Sequence, residues 1–319
     1  MATYLITGAA GFIGSSLARA LLGRGESVRG LDNFSTGKRE NIADLERIDF
    51  RDADLLDPEA VAEACRGVDY VLHQAAIPSV PKSVADPAAS NRANVEGTVN
   101  LLIAARDAKV KRVVYAGSSS IYGESPTLPK HEGMTPDPIS PYAVSKLAGE
   151  LYLTSFYRVY GLETVTLRYF NVFGPHQDAG SQYSGVLAKF IMLMLKGEQP
   201  TIYGDGEQSR DFTYIENVVA ANLLACSAPA AQAAGRVMNA ATGSRITLIK
   251  TFEILKEMTG YSDSVRYGPE RPGDIKHSLA DISLAARLLG YKPVVGFKEG
   301  LARTVAWYRR QAAKSVLVR

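Results

Sequence analysis

Two side chains near the middle of the sequence have the types and the spacing of a proton-transfer pair. In the segment SPYAVSK, Tyr142 precedes Lys146 by four residues, so both side chains lie on one face if the segment is helical. A nearby ammonium favours the phenolate and lowers the pKa of a tyrosine, which would make Tyr142 a usable base near neutral pH. The pair alone is also compatible with a half-buried tyrosine and a solvated lysine, so the rest of the sequence has to decide.

A run of three serines offers further hydroxyl groups. The segment GSSSIYG, residues 117–123, closes the strand-like run RVVYAGSS and would place its hydroxyls at that end of the strand. One of these serines could hydrogen-bond a reacting oxygen beside Tyr142. Without the tyrosine, the run would be equally compatible with a satisfied turn.

A glycine-rich turn near the start of the sequence lies between a predicted strand and a predicted helix. In ITGAAGFIG, Gly8 permits a sharp turn and Gly11 leaves space where a pyrophosphate would approach backbone N–H groups. Gly14 lets the helix pack closely. Because the motif follows a strand and opens a helix, it predicts a dinucleotide-binding site.

An acidic residue ends the second predicted strand. Asp32 lies 18 residues after Gly14 (32 − 14). A carboxylate there can accept hydrogen bonds from ribose hydroxyls and would repel a 2′-phosphate. The residues that follow, NFSTG, contain no arginine, and Lys38 is the nearest cation in the sequence. This pattern favours NAD over NADP.

The elements that must position these residues alternate between strand and helix. Short apolar runs predict strands that are buried on both faces, and the stretches between them predict helices. In chain order we expect a strand at Tyr4–Thr7, a helix to about Leu22, the strand SVRGLD, the helix PEAVAEAC, the strand YVLHQAA, a long helix over about 91–107, the strand RVVYAGSS, a helix opening at Tyr142, and the strand TVTLRYF. The alternation predicts an α/β fold with a doubly wound, parallel Rossmann sheet.

The second half of the chain is less regular and predicts a smaller, interleaved C-terminal α/β lobe. We expect residues 1–175, completed by segments around 212–243, to bind the dinucleotide, and residues 176–319 to bind mainly the substrate. Two segments rich in turn formers, residues 174–185 and 270–278, predict long loops. Loops of that length in a compact domain are often functional.

Composition narrows the class of protein. The 319 residues carry a formal net charge of +3 (36 − 33) without basic runs, so neither nucleic acid nor a membrane is an expected partner. Two distant cysteines and four histidines without ligand spacing predict no disulfide framework and no metal site. With no signal sequence or apolar span in view, we expect a cytoplasmic protein.

At this point the sequence resembles the extended short-chain dehydrogenase/reductase family nearly from end to end. The resemblance is carried by TGAAGFIG, LDNFSTG, HQAA, SSSIYG, YAVSK, RYFNVFGP, GDGEQSRDFTYIENV and RPGD. It is strongest to UDP-sugar 4-epimerases, and among these to the bacterial UDP-N-acetylglucosamine 4-epimerase branch. It implies a catalytic hydroxyl at Ser118, a base at Tyr142, Lys146 as its partner, and reversible oxidation of the sugar at C4 by tightly held NAD.

The resemblance also implies binding residues along the whole chain. The expected NAD contacts are Gly8, Gly11, Phe12, Ile13, Gly14, Asp32, Asn33, Ser35, Thr36, Gly37, Asp54, Leu55, Gln74, Ala75, Ala76, Asn94, Tyr142, Lys146 and Tyr169. The expected UDP-sugar contacts are Ser79, Ser118, Ser119, Asn171, Gly185, Val186, Tyr203, Arg210, Arg271, Asp274 and Ser278. Two arginines, Arg210 and Arg271, suit a diphosphate because each guanidinium can bind it through two hydrogen bonds.

Two positions bear on which sugar is accepted. Ser278 falls where glucose-only relatives carry a bulky tyrosine, and Gly185 falls where the branch that tolerates an acetamido group has a small residue. The expected substrates are therefore UDP-Glc and UDP-Gal together with UDP-GlcNAc and UDP-GalNAc. The family also implies a homodimer formed through the helices at about 91–107 and 142–160.

Several alternatives remain open from sequence. A 4,6-dehydratase would need an acidic pair where Ser119 and Ser120 stand, and an enzyme acting on UDP-glucuronate would need a group for the sugar carboxylate. The predicted loop at 174–185 offers His176 but no arginine. A dinucleotide-sensing regulator would normally lack the tyrosine or the lysine, whereas this chain has both.

Overall fold

The computed structural model describes residues 1–180, 185–270 and 276–317, with side chains up to residue 313. Its strands are β1 Thr3–Thr7, β2 Ser27–Asp32, β3 Asp49–Asp52, β4 Tyr70–His73, β5 Arg112–Ser118, β6 Glu163–Tyr169, β7 Val172–Phe173, β8 Thr201–Tyr203, β9 Ser209–Arg210, β10 Thr213–Tyr214, β11 Arg236–Ala240, β12 Ile246–Thr247 and β13 Arg266–Gly268. Its α-helices are α1 Phe12–Gly23, α2 Pro58–Cys65, α3 Val80–Ala85, α4 Pro87–Asn91, α5 Gly97–Asp107, α6 Pro141–Tyr160, α7 Val186–Leu195, α8 Ile215–Ser227, α9 Ala230–Ala233, α10 Leu248–Thr259, α11 Ser283–Leu289 and α12 Phe297–Leu317.

A seven-stranded parallel sheet organises the molecule, in the order β3-β2-β1-β4-β5-β6-β11. Helices α1 and α8 pack on one face, while α2, α5 and α6 pack on the other. Alternate residues of the central strands enter the two cores: Ile6 and Leu72 face one, Leu5 and Val71 the other. Burial on both faces explains why these strands read as continuous apolar runs. The predicted doubly wound Rossmann sheet is confirmed.

The smaller lobe is interleaved with the sheet, as predicted. Strand β11 comes from the second half of the chain yet pairs with β6, with Arg236 opposite Val165. Short strand pairs, β7 with β10, β8 with β13 and β9 with β12, lie outside the main sheet. An isolated bridge joins Lys130 to Ala280, so the segment before α6 also contacts the C-terminal part of the chain.

The catalytic candidates lie at the start of α6, and local sequence explains why the helix begins there. The Ser140 hydroxyl caps the helix by accepting from the backbone N–H of Ala143 at 3.2 Å, and Pro141 occupies the first turn. Ser83, from α3, accepts from the N–H of Tyr142 at 3.0 Å. Two of the unpaired donors of the first turn are thereby satisfied.

The structure differs from the sequence-based expectations about elements in three places. The helix predicted over about 91–107 is present, but its first turn, Arg92–Glu96, is π-helical and continues directly into α5. The strand predicted as YVLHQAA ends at His73. Strand β3 was missed because it lies at the sheet edge and reads DFRD, without the apolar pattern of a buried strand. No described helix is both long and apolar enough to cross a membrane.

Candidate active site

A cavity of about 1040 Å³ opens at the carboxyl edge of the sheet, between the two lobes. Residues that follow β1, β2, β4, β5 and β6 line it, as expected for a ligand site in an open α/β sheet. Its walls combine 23 of the predicted residues: Gly8, Gly11, Phe12, Ile13, Gly14, Asp32, Asn33, Ser35, Thr36, Asp54, Leu55, Gln74, Ala75, Ala76, Ser79, Ser118, Ser119, Tyr142, Lys146, Tyr169, Asn171, Gly185 and Arg210. The dinucleotide candidates and the catalytic candidates therefore share one space.

The glycine turn has the close packing that its sequence predicts. Gly8 has φ +69°, and a Cβ there would lie 2.8 Å from the backbone nitrogen of Ala75. A Cβ on Gly14 would lie 2.0 Å from the carbonyl oxygen of Gly8, so the first turn of α1 packs directly on the loop. The turn presents backbone rather than side chains to the cavity, which suits a pyrophosphate.

Asp32 is nearly fully buried at the end of β2. Its two carboxylate oxygens accept from the backbone N–H groups of Ala10 at 2.9 Å and Phe34 at 2.8 Å. Burial raises the pKa of this carboxyl, and the two backbone hydrogen bonds oppose the shift. A Cβ on Gly37 would lie 2.9 Å from both oxygens, so glycine at that position leaves the carboxylate accessible.

The cations near Asp32 are engaged elsewhere. Lys38 forms an ion pair with Asp178 of the smaller lobe at 2.9 Å. The guanidinium of Arg39 pairs with Asp52 at 2.8 Å and lies 3.9 Å from the centre of the Phe34 ring. These partners compete with any 2′-phosphate, so the surroundings of Asp32 fit NAD better than NADP.

Ser118 and Tyr142 meet at the cavity floor. Ser118 ends β5, and its Oγ accepts from the backbone N–H of Ser120 at 3.2 Å and lies 2.9 Å from Ser120 Oγ. Burial raises the pKa of Tyr142, and a hydrogen bond with Ser118 opposes the shift. The strand-end hydroxyl and the phenol that were predicted to act together therefore line one cavity.

The expected effect of Lys146 on Tyr142 is not what the structure shows. Lys146 is 3% exposed, and burial lowers its pKa to about 7. Its Nζ lies 4.4 Å from the centre of the Tyr115 ring. The expectation that a fully charged ammonium lowers the pKa of Tyr142 is thus corrected: desolvation dominates both groups, because one turn of helix places them in the same buried site.

The buried ring of His73 connects the cavity wall at Ala75 to the π-helical turn through a chain of hydrogen bonds. The Thr98 hydroxyl donates to the carbonyl of Asn94 at 2.6 Å, so it must accept from Nε2–H of His73, 2.9 Å away. The Nδ1 of His73 then accepts from Thr7 Oγ1 at 2.7 Å, and Thr7 accepts from the N–H of Ala75 at 3.3 Å. Burial lowers the pKa of His73 to about 3, consistent with a neutral ring.

Asn94 lies at the centre of that turn and is fully buried. Its Oδ1 accepts from the N–H of Ile77 at 2.7 Å, and its Nδ2 donates to Ser145 Oγ at 2.9 Å. The Ser145 hydroxyl in turn donates to the carbonyl of Tyr142 at 2.8 Å. Asn94 therefore connects the cavity wall to the catalytic helix rather than lining the cavity itself.

The substrate candidates lie on the other side of the cavity. Asn171 has a left-handed φ of +36°, and its Nδ2 donates to the carbonyl of Asp211 at 3.2 Å and to Ser278 Oγ at 3.4 Å. Arg210 donates to the carbonyl of Lys276 at 3.1 Å, which draws the guanidinium toward the same segment. Residues far apart in sequence are thus brought together beside the cavity.

The remaining predicted residues lie elsewhere. Gly37, Asn94, Val186, Tyr203 and Ser278 do not line the cavity, although Ser278 contacts Asn171, which does. Arg271 and Asp274 lie outside the described residues. The wall residues that sequence reasoning did not assign are Leu31, Lys38, Asn41, Ala53, Ile77, Pro78, Val80, Pro81, Lys82, Ala93, Ala116, Gly117, Ser120, Val172, His176, Gln177 and Asp178. Of these, Gly117 and Ser120 lie in the serine segment 117–123, and His176, Gln177 and Asp178 lie in the predicted loop at 174–185, so the sequence carried a signal for them.

No cluster of potential metal ligands occurs in the described parts of the chain. The cavity instead presents two features of a dinucleotide site, the backbone cradle formed by the glycines and the buried carboxylate of Asp32. Hydroxyl groups lie between this cradle and the lobe that carries Arg210. The arrangement suits proton transfer beside a bound dinucleotide.

Comparison with known proteins agrees with this geometry. The model of the NAD dependent epimerase/dehydratase family matches residues 4–241. The UDP-glucose 4-epimerase of Mycolicibacterium smegmatis is 38% identical over 97% of this chain and 99% of its own length. The UDP-N-acetylglucosamine 4-epimerase of Methanobrevibacter ruminantium, solved with UDP-N-acetylmuramic acid, is 43% identical with a TM-score of 0.92, covering 97% of this chain and 99% of that one.

A third relative differs in its sugar. The UDP-glucuronic acid 4-epimerase of Bacillus cereus, solved with UDP-glucuronic acid and NAD, is 33% identical with a TM-score of 0.89 and covers 97% of this chain and 99% of its own. The predictions of an epimerase-type isomerase and of NAD as its cofactor are confirmed. This chain belongs to the NAD dependent epimerase/dehydratase family, within the extended short-chain dehydrogenases/reductases, among the UDP-sugar epimerases.

Proposed function

We propose that this protein interconverts UDP-Glc with UDP-Gal and UDP-GlcNAc with UDP-GalNAc through a 4-keto intermediate. The observation that carries the proposal is that Ser118 and Tyr142 line the same cavity as the glycine turn and Asp32. A regulator that only senses a dinucleotide would not need a hydroxyl pair in the reaction space. An epimerase does, because a proton must leave and re-enter the sugar 4-hydroxyl.

The roles follow from the contacts of each side chain. Tyr142 takes the proton of the sugar 4-hydroxyl, and Ser118 donates a hydrogen bond to the oxygen that becomes the carbonyl. Lys146, one helical turn away, carries the positive charge that compensates the phenolate of Tyr142. The glycine turn and Asp32 would hold NAD, whose chemistry would be to accept a hydride from C4 and to return it to the other face of the sugar. Tyr142 then gives the proton back, so no net oxidation occurs.

The substrate-binding roles belong to the second lobe. We propose that Arg210 and Arg271 bind the diphosphate and that Asn171 contacts it from the end of β6. In this arrangement residues 1–175, with segments around 212–243, hold NAD, and residues 176–319 hold mainly the UDP-sugar. Because the diphosphate stays bound, the 4-keto sugar can rotate and present its other face without leaving the site.

Small side chains support acceptance of a 2-acetamido group. Ser278 Oγ lies 3.4 Å from Asn171 Nδ2, at the edge of the cavity. At Gly185, even a Cβ would come within 3.3 Å of Gln177 Nε2, so a larger residue would narrow the cavity beside that amide. Glycine and serine at these positions leave space on the sugar side.

The exposed surface of α6 bears on how the protein assembles. Exposed apolar residues on α6, among them Val144, Leu151 and Val159, support a homodimer formed through α5 and α6. Four apolar or small positions on that helix, 144, 148, 151 and 159, follow its turn spacing, so they form one stripe. The composition of the chain supports action in the cytoplasm.

One experiment tests the activity. The purified protein is incubated separately with UDP-Glc, UDP-GlcNAc and UDP-glucuronate, without added cofactor, and the products are followed by NMR. We expect the C4 epimers of the first two sugars. A stable 4-keto-6-deoxy product would instead identify a dehydratase, and turnover of UDP-glucuronate alone would identify a uronate epimerase. Either result would contradict the proposal.

A further inference from the structure

The hydroxyl of Ser118 has more neighbours than the reaction itself requires. Its Oγ accepts from the backbone N–H of Ser120 at 3.2 Å and lies 2.9 Å from the hydroxyl of Ser120, and Ser118 lines the same cavity as Tyr142. Ser120 lies in the one-turn 3₁₀ helix Ser119–Tyr122, and its side chain lines the same cavity. The Tyr122 hydroxyl, at the end of that turn, is buried and donates to Asn239 Oδ1 at 2.7 Å, so the turn is firmly held.

Counting donors and acceptors restricts how these groups can be arranged. A serine hydroxyl has one proton and two lone pairs, and the N–H of Ser120 occupies one lone pair of Ser118. The remaining lone pair and the single proton are shared between the Ser120 hydroxyl and Tyr142. When Tyr142 acts as a base its oxygen can only accept, so Ser118 must direct its proton to Tyr142. The last lone pair of Ser118 then faces the hydroxyl of Ser120.

The contacts of Ser120 support this assignment. In the described chain, Ser118 Oγ is the only hydrogen-bond partner of the Ser120 side chain. Its proton therefore has one protein acceptor, the lone pair that Ser118 leaves open. A hydroxyl that receives hydrogen bonds becomes a better donor, because chained hydrogen bonds polarise one another.

We propose that Ser120 is a positioning residue whose hydroxyl, by donating to Ser118, turns the single Ser118 proton into the cavity, toward Tyr142 while Tyr142 acts as the base and afterwards toward the sugar oxygen that becomes the carbonyl. This inference rests on the proposed function for its catalytic meaning, although the geometry is independent of it. When Tyr142 takes the substrate proton, it no longer needs the hydrogen bond from Ser118: Ser120 still donates to Ser118, and the Ser118 proton turns to the oxygen that becomes the carbonyl. In both states the proton and the two lone pairs of Ser118 are therefore paired.

A double-mutant cycle tests this role. The variants are Ser118→Ala, Ser120→Ala and the pair, with Ser120→Thr as the conservative control, because threonine keeps the hydroxyl and all four keep the backbone N–H of residue 120. We expect Ser120→Ala to lower kcat roughly three- to tenfold, the value of one neutral hydrogen bond, with KM little changed. Ser120→Thr should retain most of the activity. In the Ser118→Ala background, loss of Ser120 should have no further effect.

A crystal structure of Ser120→Ala gives a readout that does not depend on turnover. We expect the Ser118 Oγ to rotate away from Tyr142 in that variant and to stay in contact with it in Ser120→Thr. Independent, multiplicative effects of the two alanines, or an unmoved Ser118 in the Ser120→Ala crystal, would overturn the inference. If the wild-type protein epimerised no UDP-sugar, the proposed function would fail, while the crystal comparison would still decide the role of Ser120.

Discussion

At the scale of one residue, burial of Lys146 in the site lowers the stability of the folded protein. Its ammonium is buried beside the Tyr115 ring and near the neutral His73, and the pKa falls from the ordinary 10.5 to about 7 because burial penalises the charged form. Between these pH values an unfolded chain binds a proton that the folded chain does not. The free energy of unfolding contributed by Lys146 therefore rises with pH from about 7 to 10.5, and burial of the residue is destabilising below that window.

We therefore predict that Lys146→Met stabilises the protein while abolishing turnover. Methionine has a similar length and no charge to desolvate, so the free energy of unfolding at pH 6 should rise by on the order of 2 kcal/mol. The gain should shrink as the pH approaches 10. Denaturant unfolding at several pH values measures it, and Lys298→Met, on the exposed side of α12, is the control. A variant less stable than wild type at pH 6 would contradict the burial argument.

Ser278 is predicted to control the size of the accepted sugar. A tyrosine at this position would extend past Asn171, whose side chain lies 3.4 Å from Ser278 Oγ, toward the cavity. We expect Ser278→Tyr to lose turnover of UDP-GlcNAc by about 100-fold or more and to keep UDP-Glc within a few fold, since a steric clash rejects the larger substrate strongly. Ser278→Ala should retain both activities. Equal losses on the two substrates in the Ser278→Tyr variant would refute the pocket argument, and the comparison is made from kcat/KM.

At the scale of elements, α6 connects several parts of the molecule. Its N-terminal part carries Tyr142 and Lys146. Further along the helix, Glu150 forms a buried ion pair with Arg168 of β6, with nitrogen–oxygen distances of 2.6 and 3.0 Å. The π-helical turn at 92–96 holds the same helix through Asn94 and Ser145. A π-turn inside a helix often accompanies a functional site, because it re-aims a side chain that a regular helix would misplace.

The outer face of α6 gives the prediction about assembly. Leu151 is 59% exposed and Val159 is 67% exposed, and Ile103 of α5 is exposed as well. Apolar stripes of this kind usually mark interaction surfaces. We expect the wild-type protein to run as a dimer in size-exclusion chromatography with light scattering, and the double variant Leu151→Glu/Val159→Glu to run as a monomer. Val294→Glu, equally exposed but outside both helices, should stay dimeric. A dimer that survives the double substitution would rule out this interface.

At the scale of the whole molecule, the two lobes meet around the cavity. The loop after β7 reaches from the smaller lobe to the glycine-turn side, where Asp178 pairs with Lys38. The C-terminal helix α12 contacts this loop. The Tyr308 hydroxyl donates to the carbonyl of Gln177, and the ring centroids of Trp307 and His176 are 5.0 Å apart. The described residues His176, Gln177 and Asp178 of the predicted loop therefore help to close the cavity.

The ion pair across the cavity leads to a prediction about cofactor retention. An exposed pair is worth about 0.2–1 kcal/mol, so Lys38→Glu should weaken NAD retention by no more than about fivefold at low salt and less at high salt. The exchanged pair Lys38→Glu/Asp178→Lys should recover most of the loss, because it restores the attraction. Release of bound NAD is followed by fluorescence after dilution. If the exchanged pair were as weak as the single variant, Lys38 would act on NAD directly rather than through Asp178.

The sequence alone determined the features that depend on short-range pattern. A sharp turn needs glycine, a doubly buried strand needs an unbroken apolar run, and two side chains four residues apart share a helix face whatever surrounds them. The Rossmann sheet, the dinucleotide cradle with Asp32, and the approach of Tyr142 to Ser118 all follow from such rules, combined with the resemblance to a family. These expectations survived because local geometry repeats in every fold of this kind.

Only the tertiary structure decided features that depend on burial and on contacts between distant segments. Spacing places Lys146 beside Tyr142, but the depth of the site decides that desolvation shifts the pKa of both. The positions of Asn94 in a π-turn, of Ser278 against Asn171 and of Lys38 against Asp178 each join segments that carry no local signal of one another. Desolvation and long-range pairing are properties of the packed chain, so no pattern of neighbouring residues could have predicted them.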